Sequence, residues 1–209
     1  MTIITHIERV EDLPLLKFKL DEEYFNILKQ DAYTALENGE DVGFSLVGAI
    51  YEGKEVEIKT DYSKFEEIGC AFLDKFGNKD NSKFDLYTSA TWVVDQKRNE
   101  YNPLHVHSSF LSGIIYIDVP SNLGISKDKR KRTEKKNLDG FITFLNGFNY
   151  HSFKPEAGFG YIFTSSLPHM VYPFDSDERR LCVSFNLEIN VKVEDQPLRI
   201  QFNFNKDTQ

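Results

Sequence analysis

Two cysteines, one tryptophan and five histidines in 209 residues leave few of the side chains that most often carry redox, metal or nucleophilic chemistry. Cys70 and Cys182 are too few for a disulfide framework, and neither lies in a CxxC or CxxH pattern suggestive of structural zinc. No window approaches the roughly 18 apolar residues of a membrane span, and the stretch from Met1 to Leu13 lacks an apolar segment of signal-peptide length. Positive charge is short as well. With 25 Lys and Arg against 33 Asp and Glu the formal charge is −8, which argues against general affinity for nucleic acid or anionic membranes. There is no internal repeat and no Pro/Gly linker. A soluble protein in a reducing, cytoplasmic setting is the expectation.

What the chain does contain is apolar mass. Forty per cent of its residues are hydrophobic, with 18 Phe and 10 Tyr, so a folded globule is expected rather than a disordered chain. The length suits one domain spanning 1–209. Asp21 to Asn38 reads as a helix, with Phe25, Leu28, Ala32, Ala35 and Leu36 at helical spacing and Gly39 as its stop. Ser63 to Phe76 reads as a second, with a Ser63/Glu66 capping box, a stripe of Phe65, Ile68, Phe72 and Phe76, and Gly77 at its end.

From about Leu86 the texture changes to short β-type runs: LYTSATWVVD, SGIIYIDVP, GFITFLN, GFGYIFT, RRLCVSFNLEINV and PLRIQFNF. In the last, Leu198, Ile200, Phe202 and Phe204 alternate with polar residues, as on a strand with one wet face. The expected architecture is α+β and mainly β, with a helical part over 1–85 covering one sheet of a two-sheet core over 86–209.

One segment opposes the acidic trend. Lys127 to Lys136 holds seven basic and two acidic residues, a local +5 that leaves −13 for the remainder. It reads as a solvated loop between strands or, more sharply, as a contact for a phosphate-bearing or acidic substrate. No aromatic is interleaved with these charges, which weakens a single-strand nucleic-acid groove.

The histidines divide. In Asn102-Pro103-Leu104-His105-Val106-His107 an extended backbone turns both imidazoles to one face, able to converge on one ion, with Val106 directed into the core. His169 follows the apolar run Tyr161-Ile162-Phe163 and precedes a turn-rich stretch, after which a second extended run starts at Arg179. A hairpin centred between Phe174 and Asp175 would set His169 opposite Arg180. Arg180 would then share a face with Cys182, Ser184 and Asn186, leaving Leu181, Val183 and Phe185 for the hydrophobic layer. The Arg180 fork suits a carboxylate, while Arg179 points away to an acidic neighbour such as Asp177 or Glu178. His6 and His151 have no such company and read as background. Trp92, Phe141 and Phe163 are core or pocket walls.

The stretch NPLHVHSSFLSGIIYIDVP, followed by GFGYIFTSSLPHMVYPFDSDERRLCVSFN, resembles the Fe(II)- and 2-oxoglutarate-dependent oxygenases, in particular the branch found in bacteria and their phages, from about Trp92 to Asn186. The resemblance is carried by His-x-His before a Ser-Gly-apolar-Tyr strand, a distal His after a Gly-aromatic-apolar-Phe strand, and an Arg 11 residues later. It implies a double-stranded β-helix, or jelly roll, in which His105 and His169 hold Fe(II). His107 stands where a carboxylate is usual, and either binds the metal or contacts substrate or 2-oxoglutarate. Arg180 matches the arginine for the far carboxylate of 2-oxoglutarate, Tyr116 a tyrosine that donates to it, and Asn102 and Ser112 pocket positions. The family's partners would be 2-oxoglutarate and O₂, its reaction hydroxylation of a C–H bond, and its compartment the cytoplasm, the host's if the chain is phage-encoded. A homodimer is compatible with the resemblance.

Two departures stand out. Three neutral imidazoles leave bound iron one unit more positive than the facial triad of two His and one carboxylate. Thr164-Ser165-Ser166-Leu167 also occupies a stretch that often holds Pro and Trp in relatives. The competing readings are a non-catalytic β-sandwich that binds a metal or acidic ligand, and a three-histidine dioxygenase that needs no 2-oxoglutarate. The substrate stays open among protein residues, small metabolites and modified nucleotides.

Overall fold

A computed structural model describes residues 3–10, 12–76, 84–123 and 138–192. The basic run Lys127 to Lys136, the Gly77 stop and the alternating run Leu198 to Phe204 lie outside them. The first helix, α1 (Glu22–Asn38), starts where the Asp21 carboxylate accepts the Tyr24 N–H at 2.8 Å, and it buries Tyr24, Leu28 and Ala32. Gly39 does close it, though not in a left-handed turn: its φ is −89°, and a Cβ there would lie 2.1 Å from Val56 Cγ1. Close packing, rather than backbone freedom, calls for glycine at this position.

The second helix, α2 (Ser63–Lys75), buries Phe65, Ile68 and Phe72, and Phe76 follows at its end. The expected Ser63/Glu66 capping box is not formed. Asp61 instead accepts from the Ser63 N–H and hydroxyl, and Glu66 accepts the Thr88 N–H at 3.2 Å, so each side chain has a different partner within reach.

Eleven strands are described: β1 (Ile4–Arg9), β2 (Leu15–Leu20), β3 (Lys54–Glu57), β4 (Phe84–Gln96), β5 (Asn102–His105), β6 (Leu111–Asp118), β7 (Ile142–Asn146), β8 (Asn149–Phe153), β9 (Phe159–Thr164), β10 (His169–Val171) and β11 (Arg180–Val191). They form a seven-stranded sheet in the order β1-β2-β9-β6-β11-β4-β3 and a four-stranded sheet in the order β5-β10-β7-β8, with antiparallel pairing throughout. This is the expected α+β, mainly β jelly roll. The first 85 residues contribute more than helices, however, because β1, β2 and β3 extend the larger sheet on both edges. No described helix is long and apolar enough to cross a membrane.

Strand alternation divides the apolar residues between two layers. On one face of the larger sheet Ile115, Ile117, Leu181, Val183 and Phe185 pack with the helices. On the other, Ile114, Tyr116, Tyr161, Phe163 and Cys182 pack with Ile142, Phe144 and Val171 of the smaller sheet. The central strand β6 is therefore buried on both faces, which its unbroken run LSGIIYI reflects. Each fully buried large apolar side chain contributes about 1.5–3 kcal/mol.

Two contacts seat the helices. Asp118, at the end of β6, accepts from Lys29 Nζ at 2.7 Å and from the Tyr33 hydroxyl, tying α1 to the sheet. Phe65 of α2 stacks on Phe185 with ring centroids 4.6 Å apart and an interplanar angle of 13°. Phe185 pairs with Gly113 across the sheet, and a Cβ on Gly113 would fall 2.1 Å from the Phe185 ring. The missing side chain makes the space for that ring. Gly113→Ala is expected to cost about 1–3 kcal/mol through overpacking, and Phe65→Ala about 3–5 kcal/mol through the cavity left behind, both read as lower urea midpoints at unchanged slope.

Candidate metal and dicarboxylate site

β5 and β10 are neighbours in the smaller sheet, and their register sets His105 directly opposite His169. His107 follows just beyond β5, where its N–H donates to the Ser165 carbonyl at 2.9 Å. The three rings gather closely: centroids are 4.2 Å apart for His105 and His169, 5.0 Å for His105 and His107, and 5.2 Å for His107 and His169. One ligand nitrogen from each lies within 4.8 Å of the other two.

Hydrogen bonding fixes two of the rings. His105 Nδ1 lies 2.7 Å from the Pro103 carbonyl and His169 Nδ1 lies 3.0 Å from that of Leu167, so each Nδ1–H donates to backbone and each Nε2 keeps its lone pair for a ligand. Phe163 meets the His169 ring edge-on at 4.7 Å and Phe144 stacks near it at 5.8 Å, walls that restrict the imidazole's orientation. The donor set therefore suits a borderline divalent metal such as Fe(II), which imidazole binds well.

Burial makes all three imidazoles reluctant to take a proton. It pushes His107 down to about 4, helped by the adjacent His105, and His169 down to about 3, helped by His105 and His107 against the Leu167 carbonyl. His105 is also lowered by burial, with the Pro103 carbonyl opposing. All three are neutral at pH 7, the state that binds metal.

A cavity opens on this cluster, lined also by Trp92, Asn102, Ile114, Phe163 and Ser184. Arg180 and Tyr116 are not among its lining residues and lie within the inter-sheet layer. Arg180 is only 1% exposed; its Nη1 donates to Gln96 Oε1 at 2.7 Å, and its Cζ sits 5.2 Å from the Tyr116 ring centroid. Neither Arg180 Nε nor the Tyr116 hydroxyl makes a hydrogen bond of good geometry among the described residues. Burial raises the Tyr116 hydroxyl well above the usual phenol range despite the lowering influence of Arg180. Ser112, also outside the cavity lining, spends its hydroxyl on Ser165 Oγ at 2.7 Å and Asn186 Oδ1 at 2.8 Å.

Two expectations are corrected. His169 and Arg180 do not face each other in a hairpin: β10 lies in the smaller sheet, β11 in the larger, and residues 172–179 cross between them. Arg180 pairs instead with Gln96 of β4. Val106 is 53% exposed rather than buried, because β5 is an edge strand whose imidazole-bearing face already takes the inner side. The alternation along β11 does hold: Arg179 is turned to Asp95 at 3.4 Å, while Leu181, Val183 and Phe185 enter the helix-side core. Of the aromatic candidates Trp92 and Phe163 border the site, while Phe144 takes the place expected of Phe141. Phe144 and Gln96 were missed, although β7 and β4 alternation would have turned both inward.

Residues 90–186 match the sequence family described as "Putative 2OG-Fe(II) oxygenase". The matched stretch carries His105, His107, His169 and Arg180, and it is similar to the 2OG-Fe(II) oxygenases. Solved structures agree on the fold: a prolyl-4-hydroxylase from Pseudomonas putida (TM-score 0.57, 13% identity, covering 84% of this chain and 93% of that one) and the HygX protein from Streptomyces hygroscopicus with nickel, 2-oxoglutarate and hygromycin B bound (TM-score 0.58, 9% identity, 84% and 83%). A viral collagen prolyl hydroxylase from Paramecium Bursaria Chlorella virus-1, in complex with 2-oxoglutarate, is similar at a TM-score of 0.54 and 12% identity, covering 84% and 96%. No curated protein matches the sequence. The three histidines suit Fe(II), and the family matched by this stretch is one described by Fe(II) and 2-oxoglutarate.

The lowered imidazoles predict a pH signature for the metal-free protein. Unfolded His titrates near 6.5, so below that pH the unfolded chain takes up protons that His107 and His169 refuse until about 4 and about 3. The folded pKa values are depressed, so this stability is present above pH 6.5 and drains away as pH falls toward those values. Urea midpoints measured from pH 7 to pH 3 should fall less steeply in a His107→Asn, His169→Asn double variant than in the wild type.

Proposed function

We propose that this protein is a single-domain, Fe(II)- and 2-oxoglutarate-dependent dioxygenase that hydroxylates its substrate, with His105, His107 and His169 as the metal ligands. The observation that carries the reading is the convergence of three neutral imidazoles, two with Nδ1 held by backbone carbonyls. Three ligands on an octahedral ion leave three positions, enough for a chelating keto acid and O₂.

In this reading, Arg180 grips the far carboxylate of 2-oxoglutarate, with the Tyr116 hydroxyl as a second donor; its Nε makes no hydrogen bond among the described residues and is free to donate to that carboxylate. Asn102, opposite Val171 in the register, lines the cavity within reach of the metal side. Ser112 supports the wall by fixing Ser165, whose carbonyl also holds His107. Fe(II) held by His105, His107 and His169 would supply the O₂ chemistry by which one oxygen atom goes to 2-oxoglutarate, released as succinate and CO₂, and the other to a substrate C–H bond, giving C–OH. The chain's own part is to orient the cosubstrate and keep water out with Phe144, Phe163 and Trp92.

Similar structures include prolyl hydroxylases and a protein crystallised with hygromycin B, so the proposal spans protein and small-molecule substrates. The competing non-catalytic binding module predicts metal binding without 2-oxoglutarate consumption.

Anaerobic addition of Fe(II) and 2-oxoglutarate should give the weak visible charge-transfer band of a chelated keto acid, and air should then yield succinate. His169→Ala is expected to lower Fe(II) affinity by more than about tenfold, since it removes a ligand outright. Arg180→Ala should leave Fe(II) affinity intact and weaken 2-oxoglutarate by about 10–100-fold, the worth of a hydrogen bond to a charged group. Unchanged 2-oxoglutarate affinity in Arg180→Ala would instead favour a three-histidine site that works without this cosubstrate.

A further inference from the structure

The partner chosen for Arg180 is chemically unusual for its setting. A guanidinium that is 1% exposed is expected to be matched by a carboxylate, because burying an unpaired charge is expensive. Here, among the described residues, its hydrogen bond goes to a neutral amide, Gln96 Oε1 at 2.7 Å, and it makes no ion pair. Two acids close in the chain to Gln96 are committed elsewhere. Asp95 pairs with Lys97 at 2.9 Å and with Arg179 at 3.4 Å. The Glu100 carboxylate accepts the backbone N–H groups of Tyr51, Gly53 and Lys97 at 2.6, 3.0 and 2.7 Å, together with that of Glu52.

Gln96 is itself 1% exposed and its orientation is determined at both ends. Its Nε2 donates to the Glu100 carbonyl, so its Oε1 is the end turned to Arg180. Reversing the amide would set N–H against guanidinium and oxygen against carbonyl. The turn that holds this carbonyl is in turn clamped by the Glu100 carboxylate. The result is a rigid anchor that fixes one Nη of Arg180 without neutralising it, while Nε stays without a partner.

We propose that Gln96 is a positioning residue for dicarboxylate selection: it aims the Arg180 guanidinium and, being uncharged, leaves its full positive charge for the far carboxylate of 2-oxoglutarate. The inference rests on the function proposed above, and specifically on Arg180 as the grip. It extends that reading by assigning selectivity between dianionic and monoanionic keto acids to the neutrality of residue 96. A carboxylate at this position would offer Arg180 an internal anion in competition with the ligand.

The experiment compares 2-oxoglutarate with 2-oxopentanoate, which has the same chelating keto-acid head and no far carboxylate, binding to the Co(II)-loaded protein by calorimetry. Wild type should prefer 2-oxoglutarate. Gln96→Glu should reduce that preference by about tenfold or more, because the loss falls on the dianion alone. Gln96→Met, which removes the acceptor but adds no charge, should reduce it severalfold at most. A merely structural role would weaken both keto acids together, so an unchanged ratio in Gln96→Glu overturns the proposal. Should that variant not fold, a fully retained preference in Gln96→Met overturns it instead. A wild type with no preference for 2-oxoglutarate would overturn the Arg180 assignment itself, which is a separate outcome.

Discussion

The alternation along β11 is the constraint on which the rest of the structure depends. Leu181, Val183 and Phe185 face the helices, and Arg180, Cys182 and Ser184 face the space between the sheets. A slip of one residue in its pairing with β4 or β6 would drive a guanidinium into the helix-side core and expel three apolar side chains from it. Both pairings are long, and the two-sided burial of β6 beside it penalises any shift twice. The same register that builds the core therefore sets Arg180 between the sheets, opposite Gln96. Core packing and the placement of the arginine are consequences of one set of hydrogen bonds.

Much of this was legible because it is local. Helical spacing revealed α1 and α2, period-two alternation separated Arg180 from Arg179, and His-x-His on an extended backbone put two imidazoles on one face. What stayed hidden was which strands share a sheet. His169 and Arg180 are close in sequence, and a hairpin was the economical reading, yet the chain between them changes sheets, something alternation alone cannot encode. Strands β1 to β3 were missed for a related reason. Lys17 and Lys19 interrupt the apolar run of β2, and the four residues of β3 are too few to show a period. Gln96 drew no notice since a lone glutamine in WVVDQ acquires meaning only once β11 is laid beside it.

The histidine cluster is polar chemistry assembled in an apolar place. Three imidazoles with lowered proton affinity gather there, His169 against Phe144 and Phe163 and His107 beside Trp92, so no protonation step competes with metal binding near neutral pH. Because every donor is neutral, the charge of a bound divalent ion is left for exogenous ligands to balance. In the proposed function a dianionic cosubstrate would supply what the missing carboxylate does not, and Arg180 would meet its far end. The charge balance of the site would then be completed by what binds there rather than by the chain alone.

The crossing of residues 172–179 from one sheet to the other has a mechanical consequence. His105 and His169 belong to the smaller sheet and Arg180 to the larger, so the proposed function divides its recognition chemistry between the two layers. A metal ion alone would brace the smaller layer. A ligand chelated at one end and gripped by arginine at the other would work as a rivet through the sandwich, resisting the parting of its layers. Occupancy of the site and cohesion of the fold would then be the same mechanical state, with the sandwich at its stiffest when loaded for reaction.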